Sequence, residues 1–347
     1  MTLNELIIGA RAKNCSDIHI SEQLPLMYRI DGSLQDSGIE LSEEETRNII
    51  LGMLTEDQQD RLYKGEDIDI AIQTQDGNRQ RVNVFTQRGR LAATIRLLNQ
   101  TIPTLEELKL PKILARLADE PRGLVLVTGP TGSGKSTTLA AMIDYINGRR
   151  PEHIITIEDP IEYVYERKQA VIHQREVGID TKSFDLALRS ALREDPDVIL
   201  VGEMRDYETI SAAVTAAETG HLVLSTLHTT GAAQTIDRII DACPGDTQNQ
   251  IRTQLAGVLK GVITQCLIPA ETGGRIAATE VLTGTDAALN LIRENKCYQL
   301  NSTMQSGLLD GMHTLNKDLA GLVQKGIISV QNALKYTNDR KDLEQYL

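Results

Sequence analysis

A glycine-rich run, Gly129-Pro-Thr-Gly-Ser-Gly-Lys135-Ser136, matches the phosphate-loop pattern GxxxxGK[ST] in full. A strand is predicted directly before it, at 124–128, and a helix directly after it, at 136–146, which is the context that this pattern requires. The glycines let successive N–H groups point at phosphate oxygens, and the helix N-terminus adds partial positive charge. Lys135 suits the β- and γ-phosphates of a nucleotide, and the Ser136 hydroxyl suits Mg²⁺. The predicted nucleotide-binding residues are Gly129, Pro130, Thr131, Gly132, Ser133, Gly134, Lys135, Ser136 and Thr137.

Three carboxylates follow the predicted strand at 154–157, namely Glu158, Asp159 and Glu162. Acids at the carboxyl end of a parallel strand lie where ligands bind in such sheets. We therefore predict that all three take part in nucleotide hydrolysis, with Glu158 also a candidate Mg²⁺ ligand. A simpler role stays open for each, because Glu158 and Asp159 could cap the turn at Pro160 and Glu162 could be a solvated side chain.

A second buried strand is predicted at 198–201, and it is followed by Gly202 and Glu203. This is the position of the second acidic motif of phosphate-loop enzymes, which holds Mg²⁺ and polarises water. A further predicted strand has a histidine at each end, His221 and His228. Both histidines are candidates for catalytic roles, although a structural role is equally open. Glu203 is predicted to be the principal catalytic carboxylate.

A parallel sheet would bring these groups to one edge, and residues 112–347 show the alternation of apolar strands and helices that predicts one. Its strands are predicted at 123–128, 153–157, 198–201 and 221–226. Beyond Ile236 the pattern becomes mainly helical up to Leu347. We therefore predict an α/β domain with a helical C-terminal region.

Residues 1–98 are predicted to form a smaller, separate α+β domain. Its helices are predicted at 3–13 and 42–54, and its strands at 17–20, 26–30, 67–72, 80–86 and 90–97. An Asp31-Gly32 pair favours a tight hairpin turn after the second of these strands. The stretch 99–111 contains two prolines and is the predicted interdomain linker.

The composition restricts the classes of partner and the location of the chain. A formal net charge of −12 argues against a general nucleic-acid binder. The N-terminus lacks the basic and apolar parts of a secretory signal, and no run reaches the roughly 18 apolar residues that span a membrane. A cytoplasmic protein is therefore expected. The four cysteines are scattered, so they predict neither a disulfide framework nor a zinc site.

Four segments stand in a fixed order along the chain: the phosphate loop, an aspartate box at 157–162, the stretch 188–206 and a histidine box at 219–230. Together they resemble the secretion-ATPase superfamily that drives type II secretion and type IV pili. The similarity also includes 16–20 and 28–32, so it covers nearly the whole chain. The short N-terminal region and the lack of paired zinc-binding cysteines are most similar to the PilT-like retraction ATPases of that superfamily.

The resemblance implies a fold, cofactors and an assembly that spacing does not reveal. It implies a PAS-like N-terminal domain, a RecA-like ATPase domain, ATP and Mg²⁺ as cofactors, and a homohexameric ring. In this family arginines of the N-terminal domain complete the nucleotide site, and Arg81 and Arg96 match them here, unless they are merely exposed strand residues. The implied partners are an inner-membrane pilus platform protein and the pilin machinery, met at the cytoplasmic face of the inner membrane, with no nucleic acid.

One segment departs from the retraction-type pattern. Those proteins usually carry Ala-Ile-Arg-Asn-Leu-Ile-Arg-Glu near the C-terminus, whereas residues 287–294 here have Leu289 in place of the first arginine. The resemblance predicts a motor that retracts a type IV pilus. The alternatives are an assembly or secretion ATPase of a related pilus, conjugation or secretion system, an accessory retraction subunit, and a regulatory subunit that binds nucleotide without hydrolysing it. The presence of Lys135 and Glu203 favours an active ATPase.

Overall fold

The computed structural model describes residues 1–30, 33–74, 79–97 and 101–347. Two predictions fall outside these residues: the Asp31-Gly32 turn, and the junction at 98–100 between the predicted domain and the linker. The described residues form two compact units. The first unit comprises Met1–Thr101 with Pro160–Val164, and the second comprises Ile102–Asp159 with Tyr165–Leu347. No helix within the described residues is long and apolar enough to cross a membrane.

The first unit is built on a six-stranded sheet in which all neighbouring strands are antiparallel. Its strands are β1 (Asp17–Ser21), β2 (Met27–Ile30), β3 (Ser33–Asp36), β4 (Ile68–Gln73), β5 (Arg79–Gln87) and β6 (Arg90–Leu97), in the order β3-β2-β1-β6-β5-β4. Its helices are α1 (Leu3–Ala12), α2 (Glu43–Leu51) and α3 (Glu56–Tyr63). Each helix begins at a capping box, as at Ser42 and Glu45. The core is aliphatic and includes the fully buried Leu6, Ile18 and Val82.

The second unit is built on a seven-stranded sheet in the order β13-β12-β7-β11-β10-β8-β9, parallel except for the β12–β13 pair. Its strands are β7 (Gly123–Thr128), β8 (His153–Glu158), β9 (Val171–Glu176), β10 (Val198–Val201), β11 (Leu222–Leu227), β12 (Leu259–Pro269) and β13 (Arg275–Thr283). Its helices are α4 (Ile113–Ala118), α5 (Lys135–Asn147), α6 (Phe184–Ala191), α7 (Tyr207–Glu218), α8 (Ala232–Asp241), α9 (Gln248–Val258), α10 (Asp286–Arg293), α11 (Leu300–Ser306), α12 (Leu315–Gln324), α13 (Val330–Tyr336) and α14 (Arg340–Glu344).

Both faces of the second sheet are buried, because β7 supplies Leu124 and Leu126 to one apolar cluster and Val125 and Val127 to another. A parallel sheet with two covered faces has strands that read as continuous apolar runs, which is why these strands could be predicted. The register brings the carboxyl ends of β7, β8, β10 and β11 to one edge of the sheet. The loops in which the sequence predicts functional polar residues begin at these strand ends.

The prediction of a mainly helical region beyond Ile236 is wrong in part. Two long strands, β12 and β13, form a hairpin in this region, and the β9 strand was also not predicted. Helix α9 ends at Val258 and β12 begins at Leu259, so no turn residue separates helix from strand. Within β12, Thr264 and Gln265 interrupt the apolar run on its two faces. The sequence therefore lacks both the turn residue that usually precedes a strand and the strict apolar–polar alternation that usually marks one.

Cys15, Cys243 and Cys297 are buried, Cys266 is half-buried, and all four are free.

Candidate nucleotide-binding site

The phosphate loop, residues 129–136, joins the buried strand β7 to helix α5 through backbone conformations that favour glycine. Gly129, Gly132 and Gly134 have φ angles of +142°, +78° and +90°. A Cβ atom at Gly129 would lie 2.2 Å from the carbonyl oxygen of Gln265 and 2.6 Å from Ser133 Oγ. Both features therefore require glycine at the start of the loop.

Lys135 is folded back over this loop. Its Nζ donates to the carbonyl oxygens of Gly129, at 2.9 Å, and Pro130, at 3.1 Å, and only 9% of the residue is exposed. Ser133 Oγ is buried and has no hydrogen-bond partner among the described residues. A buried cation, an orphaned hydroxyl and a tightly curled backbone together fit an anionic phosphate group, which would supply acceptors to all of them.

Glu203 follows the buried strand β10, and the residue before it, Gly202, is hydrogen-bonded to both neighbouring strands. The Gly202 N–H donates to the Ile157 carbonyl oxygen at 2.8 Å, and the Thr226 hydroxyl donates to the Gly202 carbonyl oxygen at 2.6 Å. A Cβ at Gly202 would lie 3.2 Å from the Ile157 oxygen, so glycine allows this close approach. The sheet therefore fixes the position of Glu203.

The Glu203 carboxylate contacts two basic side chains. Its Oε1 lies 2.7 Å from Arg205 Nη2, and its Oε2 lies 3.4 Å from His228 Nε2. The Glu203 side chain is 14% exposed, whereas those of Arg205 and His228 are 73% and 48% exposed. The structure thus brings the predicted Glu203 and His228 together. It adds Arg205, which the sequence signalled only by its place two residues after Glu203.

Glu158 lies at the end of β8, on the same edge of the sheet. Its Oε1 accepts from Thr156 Oγ1 at 2.6 Å and from Gln174 Nε2 at 3.2 Å. Asp159 comes next in the chain and belongs to the same unit, whereas Glu162 belongs to the segment that groups with the first unit. Sequence reasoning missed both residues that orient Glu158: Thr156 was predicted only as part of its strand, and Gln174 lies on the unpredicted strand β9.

The described residues contain no group of three or more His, Cys, Asp or Glu side chains that could hold a metal ion by themselves. Mg²⁺ commonly takes one or two protein ligands and completes its shell with phosphate oxygens and water. The residues available for such an arrangement are Ser136, at the exposed first turn of α5, and Glu203 or Glu158 at the neighbouring strand ends. This donor set fits Mg²⁺ bound together with a nucleotide.

His221 lies at the opposite end of β11 from His228. Its Nδ1 is 2.9 Å from the Ala216 carbonyl oxygen and 3.2 Å from Thr219 Oγ1, so it joins the end of α7 to the start of β11. A six-residue strand separates the two histidines by about 20 Å. The structure does not bring His221 to the phosphate loop, and the geometry of the chain gives no support to the predicted catalytic role of His221.

Arg81 and Arg96 lie directly opposite each other on β5 and β6 of the first unit. Arg81 Nη2 is 2.6 Å from Asp69 Oδ2, and Arg96 Nε is 2.9 Å from Asp17 Oδ1. Arg29 also approaches Asp17, at 3.8 Å. The two predicted arginines are thus neighbours on one sheet, and both are ion-paired there. Their role at a phosphate stays a prediction.

Comparison with known proteins relates this chain to one family. Residues 1–345 match the family described as "Type II/IV secretion system protein". The chain is 48% identical over 334 residues to the type IV pilus retraction ATPase PilT of Pseudomonas aeruginosa, covering 96% of this chain and 97% of that protein. It is also 48% identical over 319 residues to a twitching motility protein of Neisseria gonorrhoeae, covering 91% and 85% of the two chains.

The fold leads to the same group of proteins. The structure superposes on a crystal structure of the pilus retraction motor PilT with bound ADP at a TM-score of 0.92, with 46% sequence identity and 99% of each chain covered. This solved structure therefore matches the chain in its two-sheet α/β fold and in sequence over nearly its full length. This chain belongs to the type II/IV secretion system protein family.

Proposed function

We propose that this chain is an ATP-hydrolysing motor subunit that powers the retraction of type IV pili. The observation that carries the proposal is its 48% identity, over nearly the full length of both chains, to the retraction ATPase PilT of Pseudomonas aeruginosa. The phosphate loop supports it, because its glycine conformations and buried lysine suit a nucleotide phosphate. Retraction here means the ATP-driven removal of pilin from the pilus base, which produces twitching motility.

Nucleotide binding depends mainly on the phosphate loop. Its backbone N–H groups surround the phosphates at the N-terminus of α5. Lys135 exchanges the carbonyl oxygens of Gly129 and Pro130 for the β- and γ-phosphates, which are stronger partners. Ser136 and Glu203 would hold the Mg²⁺ ion, which would neutralise charge on the phosphates.

Hydrolysis requires a positioned water and a proton acceptor. Glu203 is fixed by its strand and orients or deprotonates that water. Glu158, Asp159 and Glu162 would support the metal and the water. His228, at 3.4 Å from Glu203, senses whether the carboxylate is engaged and so reads the nucleotide state.

Coupling to movement involves the first unit. Arg81 and Arg96 compensate charge on the γ-phosphate, and in other nucleotide hydrolases an arginine in this role contributes about 10³- to 10⁵-fold in rate. The stretch 99–111 acts as a hinge between a PAS-like domain and a RecA-like domain. The chain works as a homohexamer at the cytoplasmic face of the inner membrane, against a platform protein and the pilin machinery. These statements rest on the family resemblance.

The proposal is tested by deleting the gene in its source bacterium and restoring either the parent chain or the Glu203→Gln variant. We expect deletion to leave abundant surface pili that no longer retract, and only the parent chain to restore retraction. Bald cells would instead identify an assembly motor. Unchanged pili with a secretion or conjugation defect would assign the chain to another machine.

An accessory retraction subunit is the second candidate, and Leu289 is the observation that favours it. In retraction-type sequences this position is arginine, whereas here Leu289 is half-buried and packs against the aliphatic core beneath α10. Partial loss of retraction after deletion, with the remainder depending on another ATPase, would support this candidate.

A further inference from the structure

Gln265 is a buried polar residue that the catalytic motifs do not include. It lies on β12, directly beyond the residue of that strand that pairs with Thr128, so it stands beside the start of the phosphate loop. Its carbonyl oxygen is the atom that a Cβ at Gly129 would approach to 2.2 Å. Because this oxygen lies so close to Gly129, β12 packs directly against the loop. Gln265 itself is 2% exposed.

Both ends of the Gln265 carboxamide are used on the loop. Its Nε2 donates to the Ser133 carbonyl oxygen at 2.7 Å, and its Oε1 accepts from Thr138 Oγ1 at 2.9 Å. The two bonds demand the same orientation of the amide, since one partner is an acceptor and the other is a donor. The side chain thus joins the last turn of the phosphate loop to the first turn of α5.

The chemistry of this contact selects glutamine. An apolar side chain of the same length would leave the Ser133 carbonyl oxygen and the Thr138 hydroxyl unpaired in a buried position, which is costly. Glutamate would set a second acceptor against the Ser133 carbonyl and would bury a negative charge beside a phosphate site. Packing against Gly134, whose Cβ would lie 3.1 Å from Gln265 Nε2, further limits the shape of the residue.

We propose that Gln265 is a positioning residue that holds the phosphate loop in its nucleotide-binding conformation. The proposal rests on the proposed nucleotide-dependent function. It predicts that loss of Gln265 weakens nucleotide binding more than it weakens the fold. The bonds from Gln265 fix the Ser133–Gly134 peptide, which belongs to the part of the loop that curls around a phosphate.

The test compares the full-length parent chain with Gln265→Met, Gln265→Glu and a control, Gln254→Met. Gln254 donates to Glu218 at the surface of α9, so its loss removes a glutamine bond away from the loop. Binding of ADP with Mg²⁺ is measured by calorimetry, and thermal unfolding is followed without nucleotide. We expect the Kd for ADP to rise about tenfold in Gln265→Met and more than about 100-fold in Gln265→Glu, while the control changes by less than about twofold.

The melting temperatures decide between positioning and mere packing. We expect the loop of nucleotide-free Gln265→Met to shift until water reaches the Ser133 carbonyl oxygen and the Thr138 hydroxyl, so that the variant melts within a few degrees of the parent and the cost falls on nucleotide binding. An unchanged ADP affinity in a folded Gln265→Met chain would overturn the proposal, as would equal ADP affinity in the Met and Glu variants. If these variants do not fold, Thr138→Val and Thr138→Ser replace them, because only serine keeps the hydroxyl that Gln265 binds. A loss of affinity in Thr138→Val alone supports the proposal, and equal affinity in both contradicts it.

The parent chain separates this inference from the proposed function. A parent chain that does not bind ADP would refute the proposed function itself. A parent chain that binds ADP, beside a Gln265→Met chain that binds equally well, would refute only the role of Gln265.

Discussion

The phosphate loop, residues 129–136, and the group of Glu203, Arg205 and His228, which we call the edge, both lie at the carboxyl ends of strands of the second sheet. The two regions are held in different ways. In the loop the polar contacts are buried, with Lys135 at 9% and Gln265 at 2% exposure. At the edge, the partners of Glu203 are the largely exposed Arg205 and the half-exposed His228. Losing a buried hydrogen bond is costly, whereas an exposed ion pair contributes only about 0–1 kcal/mol. The loop is therefore preformed, while the partners of Glu203 are free to exchange during a reaction.

This difference suggests how the two regions divide the work. A preformed loop backbone binds the nucleotide with little reorganisation beyond the Lys135 side chain, which favours affinity. A carboxylate with exchangeable partners is suited to a step in which water and metal enter and leave. We therefore expect substitutions in the loop to change binding, and substitutions at the edge to change turnover.

Replacing Lys135 by Ala should have the largest effect on binding. The variant loses the cation for the phosphates, so we expect the Kd for ATP to rise by more than about 100-fold and turnover to fall below detection. Calorimetry with ATP and a phosphate-release assay check both. The exposed Lys182→Ala serves as control. If Lys135→Ala binds ATP as tightly as the parent chain, the phosphate loop is not the binding site.

The two histidines of β11 offer a matched pair for the edge. His228→Asn removes the imidazole that contacts Glu203, and we expect kcat to fall about tenfold with the Kd for ATP within about twofold. His221→Asn changes the same residue type at the other end of the strand, and we expect kcat within about twofold of the parent. Steady-state ATPase assays measure both. Equal losses in the two variants would show that the edge is not where turnover is controlled.

A smaller effect is expected where Gln174 orients Glu158. Gln174→Met removes the bond to Glu158 Oε1, and we expect kcat to fall about threefold to tenfold with ADP affinity unchanged. Gln169→Met is the control, because Gln169 donates to the Gly148 carbonyl oxygen away from these carboxylates. A weaker affinity for ADP in Gln174→Met would mean that β9 also shapes the binding region, and the division between the two regions would fail.

The smallest effect concerns Cys266, the residue after Gln265 on the strand that backs the loop. Burial, assisted by Asp318, raises the pKa of Cys266 to about 11. The thiolate is thus scarce near pH 8, and alkylation should be about 100-fold slower than for an ordinary thiol and should accelerate about tenfold per pH unit up to pH 10. Because β12 is already packed, adding ADP should change this rate by less than about twofold. Mass spectrometry of the alkylated peptide measures it, and strong protection by ADP would show that the loop is not preformed.

The sequence predicted most of the chemistry because each part of it is local. The phosphate loop has a contiguous pattern, and Glu203 follows an apolar strand with a glycine before it. The strands of the two sheets were also largely predictable, because they are short apolar or alternating runs between turn residues. The carboxyl-edge position of Glu158 and Glu203 then follows from parallel pairing.

The rest depends on contacts between distant segments. Gln265 meets the phosphate loop more than a hundred residues away in sequence, and no pattern within β12 indicates that contact. Gln174 meets Glu158 through the pairing of β8 with the unpredicted β9. Strand pairing and register, which one sequence does not specify, decide both cases. His221 and His228 are different, because the predicted parallel sheet already places only His228 at the carboxyl end of its strand.

The most direct test of the account is a pair of measurements on Glu203→Gln. This change keeps the shape of the side chain and removes the charge that orients and deprotonates water, while the phosphate loop is untouched. We predict that the variant binds ATP within about threefold of the parent chain and hydrolyses it at least about 100-fold more slowly. Turnover equal to that of the parent would remove Glu203 from the mechanism and contradict the account.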